Sequence, residues 1–104
     1  MAVIINDSNF DELVLGAELP VVVDFYTEWC GPCRAISPFI DQLATEHETK
    51  LLFFKVDVEK CPTISERYGI MSVPTFLFIK NGEVITSQVG TVKPTLIEKI
   101  NLLL

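Results

Sequence analysis

Apolar and polar residues follow two different periods along this chain, and the changes of period predict its secondary structure. Short apolar runs bounded by turn residues indicate strands, whereas apolar residues spaced at i, i+3, i+4 and i+7 indicate helices. The patterns predict strands at 3–5, 21–26, 51–57, 75–80 and 83–89. They predict helices at 10–17, 32–47 and 64–68, and a last helix that begins near Pro94.

The predicted order βαβαβαββα indicates an α/β fold, with a central mixed sheet of about five strands flanked by four helices. Strand 21–26 is apolar on both faces apart from Asp24, which is typical of a central strand covered on both sides. The pair Asn81-Gly82 predicts a tight hairpin and therefore an antiparallel edge. For 104 residues we expect a single domain over 1–104.

Single residues predict where the helices begin, end and pack. Asp7 or Ser8 is expected to cap the first helix, and Gly69 is expected to end the third. The last helix should bury one apolar stripe against the sheet. That stripe is expected to consist of Leu96, Ile97, Ile100, Leu103 and Leu104.

The stretch Trp-Cys-Gly-Pro-Cys at 29–33 lies where strand 21–26 leads into helix 32–47. In the first turn of a helix, a spacing of three residues brings the sulfurs of Cys30 and Cys33 within reach of each other. The free N–H groups of a helix entrance stabilise an anion, so we expect a lowered pKa for Cys30 and a reactive thiolate there. Cys33 lies one turn further in and should be more covered.

A zinc half-site is the alternative for these two cysteines, because zinc sites share the same spacing. Such a site needs two more ligands, and the remaining candidates of the usual type are His47 and Cys61. Neither belongs to a second closely spaced pair, so a redox pair without a metal is favoured. Cys61 itself precedes Pro62 at a surface-prone helix start. It is either an oxidation or modification site, or part of an intermolecular disulfide, or an inert buried residue.

Asp24 is the one charged residue in the apolar strand 21–26. Burial disfavours the ionised carboxyl, so it should raise the pKa of Asp24 toward neutrality. A carboxyl with such a pKa suits general acid–base chemistry beside a reactive pair. In the alternative interpretation, Asp24 reaches water or pairs with a cation such as Lys55.

The bulk composition excludes several classes of function. The formal net charge of −6 disfavours nucleic-acid binding, which needs clustered Lys and Arg. No apolar run approaches the ~20 residues that a membrane span requires. The first seven residues lack the basic region and apolar core of a signal peptide. Three cysteines without such a signal suit a reducing compartment, so we expect a cytoplasmic protein.

Trp-Cys-Gly-Pro-Cys after Val-Asp-Phe, followed far downstream by Val73-Pro74-Thr75, resembles the active-site pattern of the thioredoxin family. Lys-Asn-Gly-Glu at 80–83 and Val89-Gly90 also match, so the resemblance runs from about 10 to 100. It implies the thioredoxin fold. The chain departs from the commoner family residues at Tyr26, Thr27, Arg34 and Cys61.

The resemblance also implies a role for each matching residue. Cys30 would be the nucleophile, Cys33 the resolving cysteine, and Asp24 the group that transfers its proton, with Gly31, Pro32 and Lys55 in support. Substrate would dock on Trp29, on Val73 with a cis bond to Pro74, and on Gly90. From the residues alone, Trp29 could be a core residue, but its polar or reactive neighbours favour a surface platform for docking. Pro74 could simply be a proline that starts a strand, and Gly90 a turn residue.

The function implied by the resemblance is a protein disulfide reductase that carries electrons through a reversible Cys30–Cys33 disulfide. No nucleotide-binding motif such as G-x-G-x-x-G is present, so no cofactor is expected to bind. A separate thioredoxin reductase using NADPH would restore the dithiol. The expected partners are that reductase and disulfide-containing targets such as peroxiredoxins, and the chain is expected to be a monomer. The alternatives are an oxidase or isomerase domain, and a scaffold in which the cysteines are incidental.

Overall fold

The computed structural model describes residues 2–104 and has the predicted order of elements. The strands are β1 (Val3–Ile5), β2 (Val21–Tyr26), β3 (Leu52–Asp57), β4 (Thr75–Lys80) and β5 (Glu83–Val89). The helical segments are a short π-helix (Asp11–Leu15), α1 (Gly31–Glu46), α2 (Pro62–Arg67) and α3 (Lys93–Leu103). Among the described residues the count of five strands and four helical segments agrees with the expectation.

The five strands form one mixed sheet in the order β1-β3-β2-β4-β5. β3 is parallel to both β1 and β2, whereas β4 runs antiparallel to β2 and to β5. The hairpin between β4 and β5 turns at Asn81 and Gly82, whose φ angles of 53° and 77° match a tight turn of the predicted kind. The central position of β2 is confirmed, and this strand leads directly to the cysteine pair.

Side chains alternate across β2, so the sheet separates two apolar cores. Val22 packs with the apolar faces of α1 and α3, and Val23 packs on the opposite face with the π-helix and α2. We name these layers the α1–α3 face and the π-helix–α2 face. Asp24 has the same parity as Val22 and therefore belongs to the α1–α3 face.

The expected capping of the first helix is wrong. Asn6, and not Asp7 or Ser8, organises this turn, because its side-chain oxygen accepts the N–H groups of Ser8 and Asn9 at 2.9 and 3.2 Å. The carboxylate of Asp7 instead accepts the backbone N–H groups of Thr63 and Ile64 at 3.2 and 3.0 Å. Asp7 therefore caps α2 across 56 residues of chain, a pairing that no local pattern indicates.

The start of one helix and the apolar stripe of another also differ from the predictions. α2 begins at Pro62, two residues earlier than expected, because proline is tolerated in a first turn where its missing N–H is no loss. Gly69 follows it with a φ of 63°, the left-handed ending that was predicted. In α3 only Leu96, Ile100 and Leu103 are buried. The expected stripe members Ile97 and Leu104 are exposed. Ile97 lies to the side of the buried face of α3, and Leu104 follows the last residue of the helix.

Candidate active site

The cysteine pair lies at the N-terminus of α1. Cys30 is the residue that precedes the first helical residue, Gly31, and its extended backbone aims the sulfur at the free N–H groups of the first turn. The N–H of Cys33 donates to Sγ of Cys30 over 3.1 Å. The two cysteines form a disulfide with their Cα atoms 5.2 Å apart. The sequence prediction that this spacing joins the two sulfurs is thereby confirmed.

The two sulfurs differ in their access to solvent. Cys30 is half-buried, whereas Cys33 is buried one turn into the helix. Gly31 and Pro32 are exposed at the entrance of α1, and the indole of Trp29 is 77% exposed beside them. A core position for Trp29 is therefore wrong. A reagent that approaches from solvent meets Cys30 before Cys33.

Asp24 is buried on the α1–α3 face and is only 2% exposed. Its neighbours in the sheet are Lys55 on β3 and Phe76 on β4. Burial raises the pKa of Asp24 to about 7, a rise that the charge of Lys55 opposes and that of Asp41 supports. Its Oδ1 atom has no hydrogen-bond partner among the described residues. The predicted rise of this pKa toward neutrality is borne out.

Lys55 does not form an ion pair with Asp24. Its ammonium donates to the hydroxyl of Ser37 over 3.2 Å and lies 4.7 Å from the ring centroid of Tyr26. A cavity of about 290 Å³ is lined by these three residues together with Cys33. Lys55 thus connects the neighbourhood of Asp24 to that of the buried cysteine, and the alternative of an Asp24–Lys55 ion pair is wrong.

The loop before β4 carries the other residues that the sequence singled out. The Val73–Pro74 peptide bond is cis, as the resemblance implied. The N–H of Gly90 donates to the carbonyl of Pro74 over 2.9 Å, which joins the end of β5 to this loop. Gly90 has a φ of 97°, a conformation that L side chains rarely adopt.

Cys61 lies away from this group. It is buried and packs on the π-helix–α2 face, which contradicts a surface position and agrees with the alternative of a buried residue. Burial also raises the pKa of its thiol, which makes the thiolate scarce at neutral pH. Over residues 2–104 no group of three or more His, Cys, Asp or Glu side chains is placed to hold a metal ion.

Three residues beside these were not singled out from the sequence. Ser37 follows Cys33 by four residues on the same helix, so the helical period could have found it. Met71 is 96% exposed two residues before Val73, and no pattern marks an exposed apolar residue in a loop. Gln88 is a buried polar residue of β5, but its polarity in the sequence suggested an exposed position.

A disulfide that solvent reaches through one sulfur only can accept two electrons by exchange with an outside thiol, and can return them by the reverse steps. This site on this fold defines the class of the thiol–disulfide oxidoreductases. The chain belongs to the thioredoxin family, since the family model described as Thioredoxin matches residues 1–101. The fold expected from the resemblance is confirmed with it.

Relatives from plants and bacteria agree with this assignment. A chloroplastic M-type thioredoxin of Pisum sativum is 51% identical over 98 residues, which cover 93% of this chain and 57% of the relative. The corresponding protein of Spinacia oleracea is 47% identical over 92% of this chain and 54% of its own length. A thioredoxin of Rickettsia bellii is 43% identical over 97% of both chains.

The chain spans a little more than half the length of the plant relatives that it matches. Within residues 2–104, no helix is both long enough and apolar enough to cross a membrane.

Proposed function

We propose that residues 1–104 act as one domain that reduces disulfides of other proteins through the Cys30–Cys33 pair. The observation that carries this proposal is the asymmetry of the pair: Cys30 is half-buried at a helix entrance and Cys33 is buried behind it. Reaction with a large partner therefore begins at one sulfur and is completed by the other.

The reaction starts from the dithiol. The Cys30 thiolate attacks one sulfur of a target disulfide, which forms a mixed disulfide and releases the first target sulfur as a thiolate. The Cys33 thiol loses its proton and attacks the Sγ atom of Cys30. The bond between Cys30 and the target breaks, the second target sulfur leaves, and the two target thiolates take up protons. Two electrons pass from the cysteine pair to the target.

Asp24 is proposed to take the proton of Cys33. Its pKa of about 7 lets the carboxyl both accept and release a proton near neutral pH. Its place on the α1–α3 face, next to Lys55, supports this role, because Lys55 and Cys33 line the same cavity. Gly31 and Pro32 contribute by forming the first turn that holds the two sulfurs together.

The docking surface is proposed to include the exposed indole of Trp29, the loop at Val73 and Pro74, and Gly90. The bond between Gly90 and Pro74 supports a single continuous patch from these residues. An extended segment of a target would lie along the Val73 backbone. Met71 adds an exposed, flexible apolar side chain to the same loop.

The oxidised pair has to be reduced again by another protein. We propose a separate thioredoxin reductase that draws on NADPH, with disulfide-containing targets such as peroxiredoxins as the substrates of a monomeric carrier. The relatives include chloroplastic and bacterial proteins. The cytoplasm is the compartment that we propose for this chain, because its three cysteines suit a reducing compartment.

The first experiment measures the reduction potential of the pair by equilibration in glutathione or dithiothreitol buffers. Thioredoxins as a family have potentials of about −270 mV, and we expect a value near this. A potential of about −180 mV, typical of disulfide isomerases, would contradict the reductase assignment and favour the oxidase or isomerase alternative.

A second experiment separates catalysis from a scaffold role. Reduction of insulin disulfides by the chain is measured with dithiothreitol as the electron source. The double variant Cys30→Ser, Cys33→Ser should lose this activity, while Cys61→Ser, on the opposite face, should retain it. Activity that survives in the double variant would refute the proposed function.

A further inference from the structure

One long polar side chain, that of Gln88, is buried on strand β5. Gln88 lies opposite Phe76 of β4 and is 7% exposed, whereas Ser87 and Val89 on either side are exposed. Buried glutamine is uncommon, because its amide needs hydrogen-bond partners away from water. The proposed mechanism makes no use of this side chain.

The amide nitrogen of Gln88 joins the two ends of the loop that follows β5. Its Nε2 atom donates to the carbonyl of Gly90 over 3.4 Å and to the carbonyl of Val92 over 3.2 Å. The Val92 carbonyl also accepts the N–H of Leu96 over 3.1 Å, so it belongs to the first turn of α3. One side chain therefore fixes the loop at 90–92 from Gly90 to the start of that helix.

This loop borders the disulfide helix. Thr91 and Lys93 line a cleft of about 200 Å³ together with Pro32 and Ala35 of α1. At its other end Gly90 is bonded to Pro74. The loop at 90–92 thus forms one wall of the cleft beside the cysteine pair. Gln88 supports this loop from the protein interior and does not line the cleft.

Gln88 is not explained by stability alone. Its Oε1 atom is buried and has no hydrogen-bond partner within the described part of the chain. A buried acceptor without a partner destabilises the folded state, whereas leucine at the same position would avoid that cost. Both hydrogens of the Nε2 amide are donated to loop carbonyls, whereas the Oε1 atom accepts none from the described residues. The advantage of glutamine over leucine at this position therefore lies in holding the loop.

We propose that Gln88 is a positioning residue that holds the loop at 90–92 in the shape required to receive an extended segment of a protein substrate. This inference rests on the proposed function. Gln88 acts through the Gly90 and Val92 carbonyls and does not touch the substrate. Its loss should therefore weaken recognition of protein disulfides, which need the wall, more than reaction with a small disulfide, which needs only the Cys30 sulfur.

The test compares Gln88→Leu with the wild type on two substrates, insulin and hydroxyethyl disulfide. We expect the KM for insulin to rise about fivefold, with kcat changed far less, because the lost hydrogen bonds order the docking wall. Reduction of hydroxyethyl disulfide should keep its rate. Amide hydrogen exchange at Gly90 should become faster, because the loop that presents this N–H to Pro74 is no longer held.

The variant Gln42→Leu is the matched control, since Gln42 is an exposed glutamine of α1 whose amide donates to Glu46 of the same helix. It should behave as the wild type in all three measurements. An unchanged KM for insulin in Gln88→Leu, or an equal loss on both substrates, would overturn the positioning role. A wild type inert towards both substrates would instead refute the proposed function itself.

Discussion

At the scale of single residues, the burial of Asp24 links the stability of the protein to its pH. The pKa of this carboxyl is about 7 in the folded chain and about 3.9 in an unfolded one. Between these values the folded state binds a proton that the unfolded state has lost, so stability falls as the pH rises. Three pKa units correspond to about 4 kcal/mol, which is a large part of the stability of a small domain.

The variant Asp24→Asn removes this titration. We expect its free energy of unfolding to exceed that of the wild type increasingly as the pH rises, with the difference growing by about 3 kcal/mol between pH 4.5 and pH 8. Urea unfolding of both oxidised proteins at the two pH values measures the difference. A difference that stays constant with pH would show that Asp24 is not a buried acid with a raised pKa.

The same substitution should slow the chemistry while the fold is retained. If Asp24 takes the proton of Cys33, then Asp24→Asn should lower insulin reduction about tenfold or more near neutral pH. The control is Asp57→Asn, because Asp57 is a second buried aspartate, and within residues 2–104 its carboxylate accepts only the N–H of Glu59. Unchanged turnover of Asp24→Asn from pH 6 to pH 8 would exclude the proton-transfer role.

At the scale of elements, the strands followed their apolar runs closely and the short helices did not. Strands β2, β4 and β5 have the predicted bounds, because a buried apolar run and its turn residues are close together in the sequence. The first helix differs because its start depends on Asn6 and its interior takes the wider π geometry. The cap of α2 comes from Asp7, a partner far away in the sequence.

The long-range cap can be tested by truncation. Asp7→Ala should destabilise the protein by about 1 kcal/mol, because the N–H groups of Thr63 and Ile64 lose their acceptor. Ser8→Ala is the control, since the Ser8 hydroxyl donates to the nearby Asn6 side chain in an exposed hydrogen bond. Thermal unfolding compares the two variants, and equal effects would contradict a cap by Asp7.

At the scale of the whole molecule, some features of the site could be predicted from local sequence patterns, whereas others depend on the register between strands. The burial of Asp24 follows from a strand that is apolar on both faces, and the joining of the cysteines follows from helical spacing; both patterns are local. That Lys55 is beside Asp24 depends on the register of β2 against β3, which strands so far apart in sequence do not specify locally. The family resemblance alone implied that Gly90 and Pro74 belong to one docking surface, and nothing in the sequence indicated the hydrogen bond between them. The hydrogen bonds of Gln88 depend on carbonyls of a loop, whose positions no local pattern specifies.

The sheet also separates the thiols of the molecule. The disulfide begins the helix that packs on the α1–α3 face, while Cys61 is 1% exposed on the π-helix–α2 face. In the oxidised protein we expect the Cys61 thiol to react with an aromatic disulfide reagent at least about 1,000-fold more slowly than in urea, because only an opened state exposes it. The variant Cys61→Ser should give no signal, and fast labelling in the folded state would show that this side of the sheet opens easily.

In the oxidised molecule, the reactivity of the buried Cys61 thiol therefore reports how stable the π-helix–α2 face is against local opening. The active-site sulfurs are bonded to each other, so within residues 2–104 the thiol reagent can react only with Cys61. Each reaction requires that the helical layer over Cys61 has moved away from the sheet. The labelling rate thus measures, under native conditions and without added probes, how often one half of the molecule opens.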